Sequence, residues 1–186
     1  MSKRFPIPEF DRDQYKNMDW SAPKLLSKAE QDRLIAAAKK GDAKAYGCYP
    51  VTADAAFFDH FKVTGAHRHA VLCLTPPQGA RLAGRSWAWP IQRALVVDSL
   101  DPASAKVLQE WKTPRPMNTR LGPDEGATLD GGVAYIVFGH KYADHWIANR
   151  TLVDKRAAGG KGCTVVSASD EDANDFHACN LSVTWA

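Results

Sequence analysis

The sequence predicts an α+β fold in which N-terminal helices are followed by a mainly antiparallel β-sheet, in a β-sandwich or jelly-roll-like arrangement. Three observations carry this expectation. Ser27 followed by Glu30 is a capping-box signature, with Ala29, Leu34, Ala37 and Ala38 behind it at helical spacing. From Gly65 onward the apolar period shortens to that of strands, and Pro and Gly clusters punctuate the runs. In the last segment His177, Cys179, Leu181, Val183 and Trp185 alternate with Ala178, Asn180, Ser182 and Thr184, the two-residue period of an antiparallel strand with one buried and one wet face.

Taken in order, residues 1–26 interleave Pro6, Pro8 and Pro23 with Phe5, Phe10, Tyr15 and Trp20 without period, and read as an extended arm preceding one globular domain, 27–186. The capping box and Gly41 bound a first helix over 28–40. Thr52 as N-cap and the stripe Phe57, Phe58 and Phe61 predict a second helix over 52–61. His67 to Thr75 reads as a strand ending at Pro76, Pro77 and Gly79. A return segment through Trp87 and Trp89 leads to a buried strand at Ala94 to Val97, and together these suggest an antiparallel pair. Asp101 before Pro102, with Val107, Leu108 and Trp111 at helical spacing, predicts a third helix ending at Trp111. Residues 113–132 hold three prolines and four glycines and read as one long surface loop. Val133 to Phe138 and Trp146 to Val153 read as strands, Lys155 to Gly162 as a basic loop, and Cys163 to Ala168 with Phe176 to Trp185 as a hairpin.

Composition bounds the function. The chain of 186 residues is 45% hydrophobic and 24% charged, ordinary for one soluble globular domain. Its apolar runs fall far short of the roughly 20 residues a bilayer-spanning helix needs, so no membrane contact is expected. No apolar stretch of signal-peptide length follows the basic start, which predicts a cytoplasmic protein, or one incorporated in a particle assembled in the cytoplasm. A net charge of +3 spread along the chain argues against nucleic acid as a partner. Cys48, Cys73, Cys163 and Cys179 stand at unrelated spacings with no C-x-x-C pair, and are expected to be reduced thiols, three of them in strands.

Two constellations could carry chemistry. Cys48 ahead of a helix, His67 and His69 opening a strand, and Asp98 ending the next give a nucleophile, a base and an orienting carboxylate. That chain order resembles papain-like hydrolases and amidases, although no aromatic or glycine signature flanks the histidines. His67 and His69, two apart in a strand, project from one face and could share a divalent transition metal, with His140, His145 or His177 as third ligand. The His-x-His resembles that of cupin barrels, but Ala70 to Leu74 are apolar where a carboxylate would follow. The loop Asp170 to Asp175 lacks the glycine and glutamate of a calcium loop and reads as a polar hairpin tip. Trp87 and Trp89 read as packing rather than a stacking platform.

No catalytic motif is complete. The leading expectation is therefore a non-catalytic structural or interaction subunit of a larger assembly, for example a virion or phage particle component. It would contact protein partners or copies of itself through the arm 1–26 and the loop 113–132, without a cofactor. The alternatives are a cysteine-dependent hydrolase using Cys48, His69 and Asp98, and a metal-dependent β-barrel enzyme built on His67 and His69.

Overall fold

The computed structural model describes residues 25–65, 71–86, 90–113, 119–122, 127–154, 161–168 and 179–185. The arm expected over 1–26 lies almost wholly outside these residues, as do His67, His69, Trp87, Trp89, His177 and the acidic loop.

Helix α1 (Lys28–Lys39) begins where the capping box predicts it. Glu30 N donates to Ser27 Oγ at 3.2 Å while Ser27 N donates to Glu30 Oε2 at 3.1 Å, so two amides at the helix start are satisfied reciprocally. The helix is held to the sheet beneath it by Gln31, whose Nε2 donates to the Tyr135 hydroxyl at 3.0 Å. Helix α2 (Ala55–His60) is shorter than predicted and is preceded by Asp54 rather than Thr52. Its aromatic stripe is core, as expected: Phe57 is fully buried and meets Phe58 and Phe61 edge-on at 5.5 and 5.0 Å.

Among the described residues the strands form two sheets, almost entirely antiparallel. The first has seven: β1 (Gly47–Val51), β2 (Val63–Thr64), β3 (Val71–Thr75), β5 (Gln92–Val97), β6 (Val107–Lys112), β9 (Ala134–Tyr142) and β10 (His145–Ala148). β9 organises it, with β3 and then β10 along one edge and β5 along the other. The short β2 pairs with β10 in parallel. The second sheet contains β4 (Ala80–Ser86), β7 (Thr119–Leu121), β8 (Ala127–Leu129), β11 (Arg150–Asp154), β12 (Lys161–Ala168) and β13 (Cys179–Trp185). The β12–β13 pairing expected from the terminal alternation is present, Cys163 opposite Val183 and Val165 opposite Leu181.

Alternation along the strands explains the layering. Leu72, Leu74, Ala94, Val96, Ala134, Ile136 and Phe138 of the first sheet join Leu82, Val165, Leu181 and Val183 of the second in one apolar cluster. The intervening Val71, Cys73, Leu95, Val97, Tyr135 and Val137 pack with Phe57, Phe58 and Phe61 of α2 in another. The first sheet is thus buried on both faces at its centre, which is why residues 71–74 of β3 and 94–97 of β5 read as continuous apolar runs. Each fully buried Leu, Ile, Val or Phe contributes about 1.5–3 kcal/mol of transfer free energy.

Five sequence expectations are corrected. The third helix is a single turn followed by strand β6. Asp101 caps that turn through Oδ1 to Ala103 N at 3.0 Å, but the alternation of Val107 to Lys112 pairs with β5, and that pairing overrides the helical spacing. The segment 113–132 is not one loop, since it contains β7 and β8, both paired with β4. The strand ending at Thr75 and the strand Ala94 to Val97 are not paired with each other: β3 and β5 flank β9 on opposite sides, and the Pro76–Gly79 turn carries the chain into the second sheet between them. The run Trp146 to Val153 is two strands in different sheets, with Asn149 alone between them. Finally, Asn180 and Ser182, expected on a wet face of β13, are buried.

Candidate functional site

All four cysteines lie in strands, and Cys48 of β1 is disulfide-bonded to Cys163 of β12, across the two sheets. This corrects the expectation of four reduced thiols, and it bears on the hydrolase reading, because a bonded sulfur offers no thiolate. Cys48 also lies within a strand rather than at a helix start. Asp98 has a structural task. Its Oδ1 accepts from Lys106 N at 2.7 Å and its own N donates to Lys106 O at 3.1 Å, closing the β5–β6 connection. Cys73 and Cys179 stand outside the disulfide and are buried, and burial pushes the Cys73 thiol up to about 12 and raises Cys179 as well, the opposite of an activated nucleophile.

His140 joins a buried polar network at the corner between the sheets. Asn149 is fully buried, and its Nδ2 donates to Gln92 Oε1 at 2.8 Å and to Ser167 Oγ at 3.2 Å. Its Oδ1 therefore faces His140 Nδ1 at 2.7 Å, which places the imidazole proton on that nitrogen. The thiol of Cys179 reaches the same Gln92 oxygen at 3.9 Å. The network latches the crossover from β10 to β11. His145 sits apart on the β9–β10 hairpin, its ring 5.8 Å from that of Tyr142. Among the described residues no three His, Cys, Asp or Glu side chains are grouped to hold a metal ion.

The feature that sequence reasoning missed is a basic cleft of about 780 Å³ on the helix-covered side of the first sheet. The C-terminus of α2 brings His60, Phe61 and Lys62 to it, β5 brings Arg93, the end of β6 brings Lys112, and the β9–β10 hairpin brings Lys141, Asp144 and Trp146. Arg93 is only 9% exposed. Its Nε donates to Glu110 Oε1 at 2.8 Å, its Nη1 donates to Phe61 O at 2.7 Å, and its guanidinium stands 5.5 Å from the centre of the Trp146 ring. Lys112 Nζ shares Glu110 at 3.6 Å and lies 5.9 Å from the same ring. One carboxylate and one indole thus hold two cations in place.

The backbone is also unusual here. Lys62 (φ 58°) and Ala143 (φ 50°) are the left-handed non-glycine residues among the described residues; Lys62 lines this cleft, and Ala143 directly precedes its lining residue Asp144. A non-glycine residue pays about 1 kcal/mol or more for that conformation. The elements that meet here are far apart in the chain, and no local motif announces the juxtaposition.

A second feature is the edge strand β6. Among the described residues its one paired neighbour is β5. Val107 and Leu108 on it are 49% and 43% exposed. No helix of the described residues is long and apolar enough to cross a membrane. No protein-family model matches this chain, and no curated protein matches it in sequence.

Proposed function

We propose that the protein is a non-catalytic structural subunit that assembles with copies of itself, as in a virion or phage particle, by pairing along β6. The edge of β6, which among the described residues pairs with β5 alone, and its exposed Val107 and Leu108 are the observation that carries this reading. An edge strand presents a row of unpaired N–H and C=O groups, and monomeric proteins blunt such edges with charge, proline, a β-bulge or a covering element. Here the β5–β6 register shifts between Val96 and Val97, and at that end two large apolar side chains are nevertheless exposed, while Glu110 and Lys112 mark the other end. Antiparallel pairing of two β6 strands about a two-fold axis would place the apolar start of each against the far half of the other, extending both first sheets into one.

Two further observations support the reading. The two sheets share one apolar core, which agrees with reading the domain as a β-sandwich whose sheets have edge strands to offer a neighbour. The disulfide between them favours a particle exposed to an oxidising environment over permanent residence in a reducing cytosol.

Light scattering of the full chain over a range of concentrations tests this. A specific oligomer is expected, dissociated by Leu108→Lys with little change in melting temperature, since Leu108 is 43% exposed. A monomer at every concentration, or an oligomer indifferent to Leu108→Lys, would overturn the proposal.

A further inference from the structure

We infer that the basic cleft beside α2 is a binding site for a small molecule carrying a phosphoryl group. Its volume of about 780 Å³ suits such a ligand. Four basic side chains, Lys62, Arg93, Lys112 and Lys141, face two carboxylates, Glu110 and Asp144. Glu110 is already committed to Arg93 and Lys112, and Lys62 and Lys141 have no ion-pair partner among the described residues. The cleft therefore keeps an excess of about two positive charges, which a phosphoryl dianion neutralises and a carboxylate monoanion does not.

The cations are prepared for this. Arg93 is fixed by Glu110, by the Phe61 carbonyl and by the Trp146 ring before any ligand arrives, so little side-chain freedom is lost on binding. Lys62 follows the last turn of α2, where its N donates to Asp59 O at 3.1 Å. Glycine is the usual residue at such a left-handed helix end. A lysine there keeps an ammonium group in the cleft wall at the cost of backbone strain, and strain of this kind gathers at binding sites.

The test uses the full chain, with inorganic phosphate and acetate as probes at constant ionic strength, read by isothermal titration calorimetry. Phosphate is expected to bind at one site per chain and more tightly than acetate, with an affinity that falls as chloride is added. Lys141→Gln and Lys62→Gly are each expected to weaken phosphate binding about tenfold or more, the loss of one charge-assisted contact. Lys62→Gly is also expected to raise the melting temperature, because glycine adopts φ 58° freely. That combination, a more stable protein that binds phosphate less well, separates a binding residue from a simple helix terminator. The inference is overturned if the folded chain gives no saturable phosphate signal, if acetate binds as tightly, or if both variants bind phosphate like the parent.

Discussion

Breaking the Cys48–Cys163 bond should remove a large share of the stability of this domain. The bond joins residues 115 apart and connects β1 of the first sheet to β12 of the second. In the chain-entropy description, a closed loop of that length restrains the unfolded ensemble by about 4.8 kcal/mol at 25 °C. Domains of this kind are stable by about 5–15 kcal/mol in total, so the effect decides whether the reduced chain stays folded at 37 °C. Both cysteines are nearly buried, at 7% and 3% exposure, so reduction leaves two thiols of almost unchanged volume in the inter-sheet core and the packing contribution is small. The assay is guanidinium unfolding with and without reductant. With a slope of roughly 2–6 kcal/mol/M, the midpoint should fall by roughly 1–2 M. Superimposed curves would refute the reasoning, as would an intact mass showing four thiols before reduction.

Three further outcomes follow from the same geometry. Asn149→Ala should destabilise the fold by about 2–4 kcal/mol, because His140, Gln92 and Ser167 lose a shared buried partner at the sheet crossover; a change under about 0.5 kcal/mol in urea unfolding would show the network to be dispensable. Alkaline pH should destabilise the protein. Burial raises Cys73 from 9.0 to about 12 and Tyr135 from 10.0 to about 12, so the unfolded chain releases these protons first; stability is full below about pH 9 and is lost as pH rises toward 12. Flat unfolding midpoints from pH 8 to about 11 would contradict this. Thiol labelling of the native, unreduced protein should find neither Cys73 nor Cys179 accessible, since both are buried, and rapid modification of either would contradict the packing described.

What the sequence disclosed depended on how local its causes are. The α1 boundary rests on Ser27 and Glu30, three residues apart, and was readable. The β12–β13 pair follows from strict alternation and was readable too. By contrast, Val107, Leu108 and Trp111 satisfy a helical spacing, and only the presence of β5 as a neighbour makes them a strand. The polarity of Asn180 and Ser182 suggested a solvated face, because burial of a polar strand face depends on what covers it. The Cys48–Cys163 bond and the cleft have the same difficulty in stronger form. Cys48 and Cys163, or Lys62, Arg93, Lys112 and Lys141, come together only once the order of strands around β9 is known. Asp98, expected at the end of a strand, directly follows β5, and its carboxylate serves the backbone of Lys106.

Amide hydrogen exchange of β6 at low and high protein concentration tests the central claim most directly, because it reports on the edge itself rather than on mass alone. If copies of the chain pair along Val107–Lys112, exchange of these amides should slow as concentration passes through the association range, and the protection should vanish in Leu108→Lys. Exchange over Val107–Lys112 that is the same at every concentration would contradict assembly through β6.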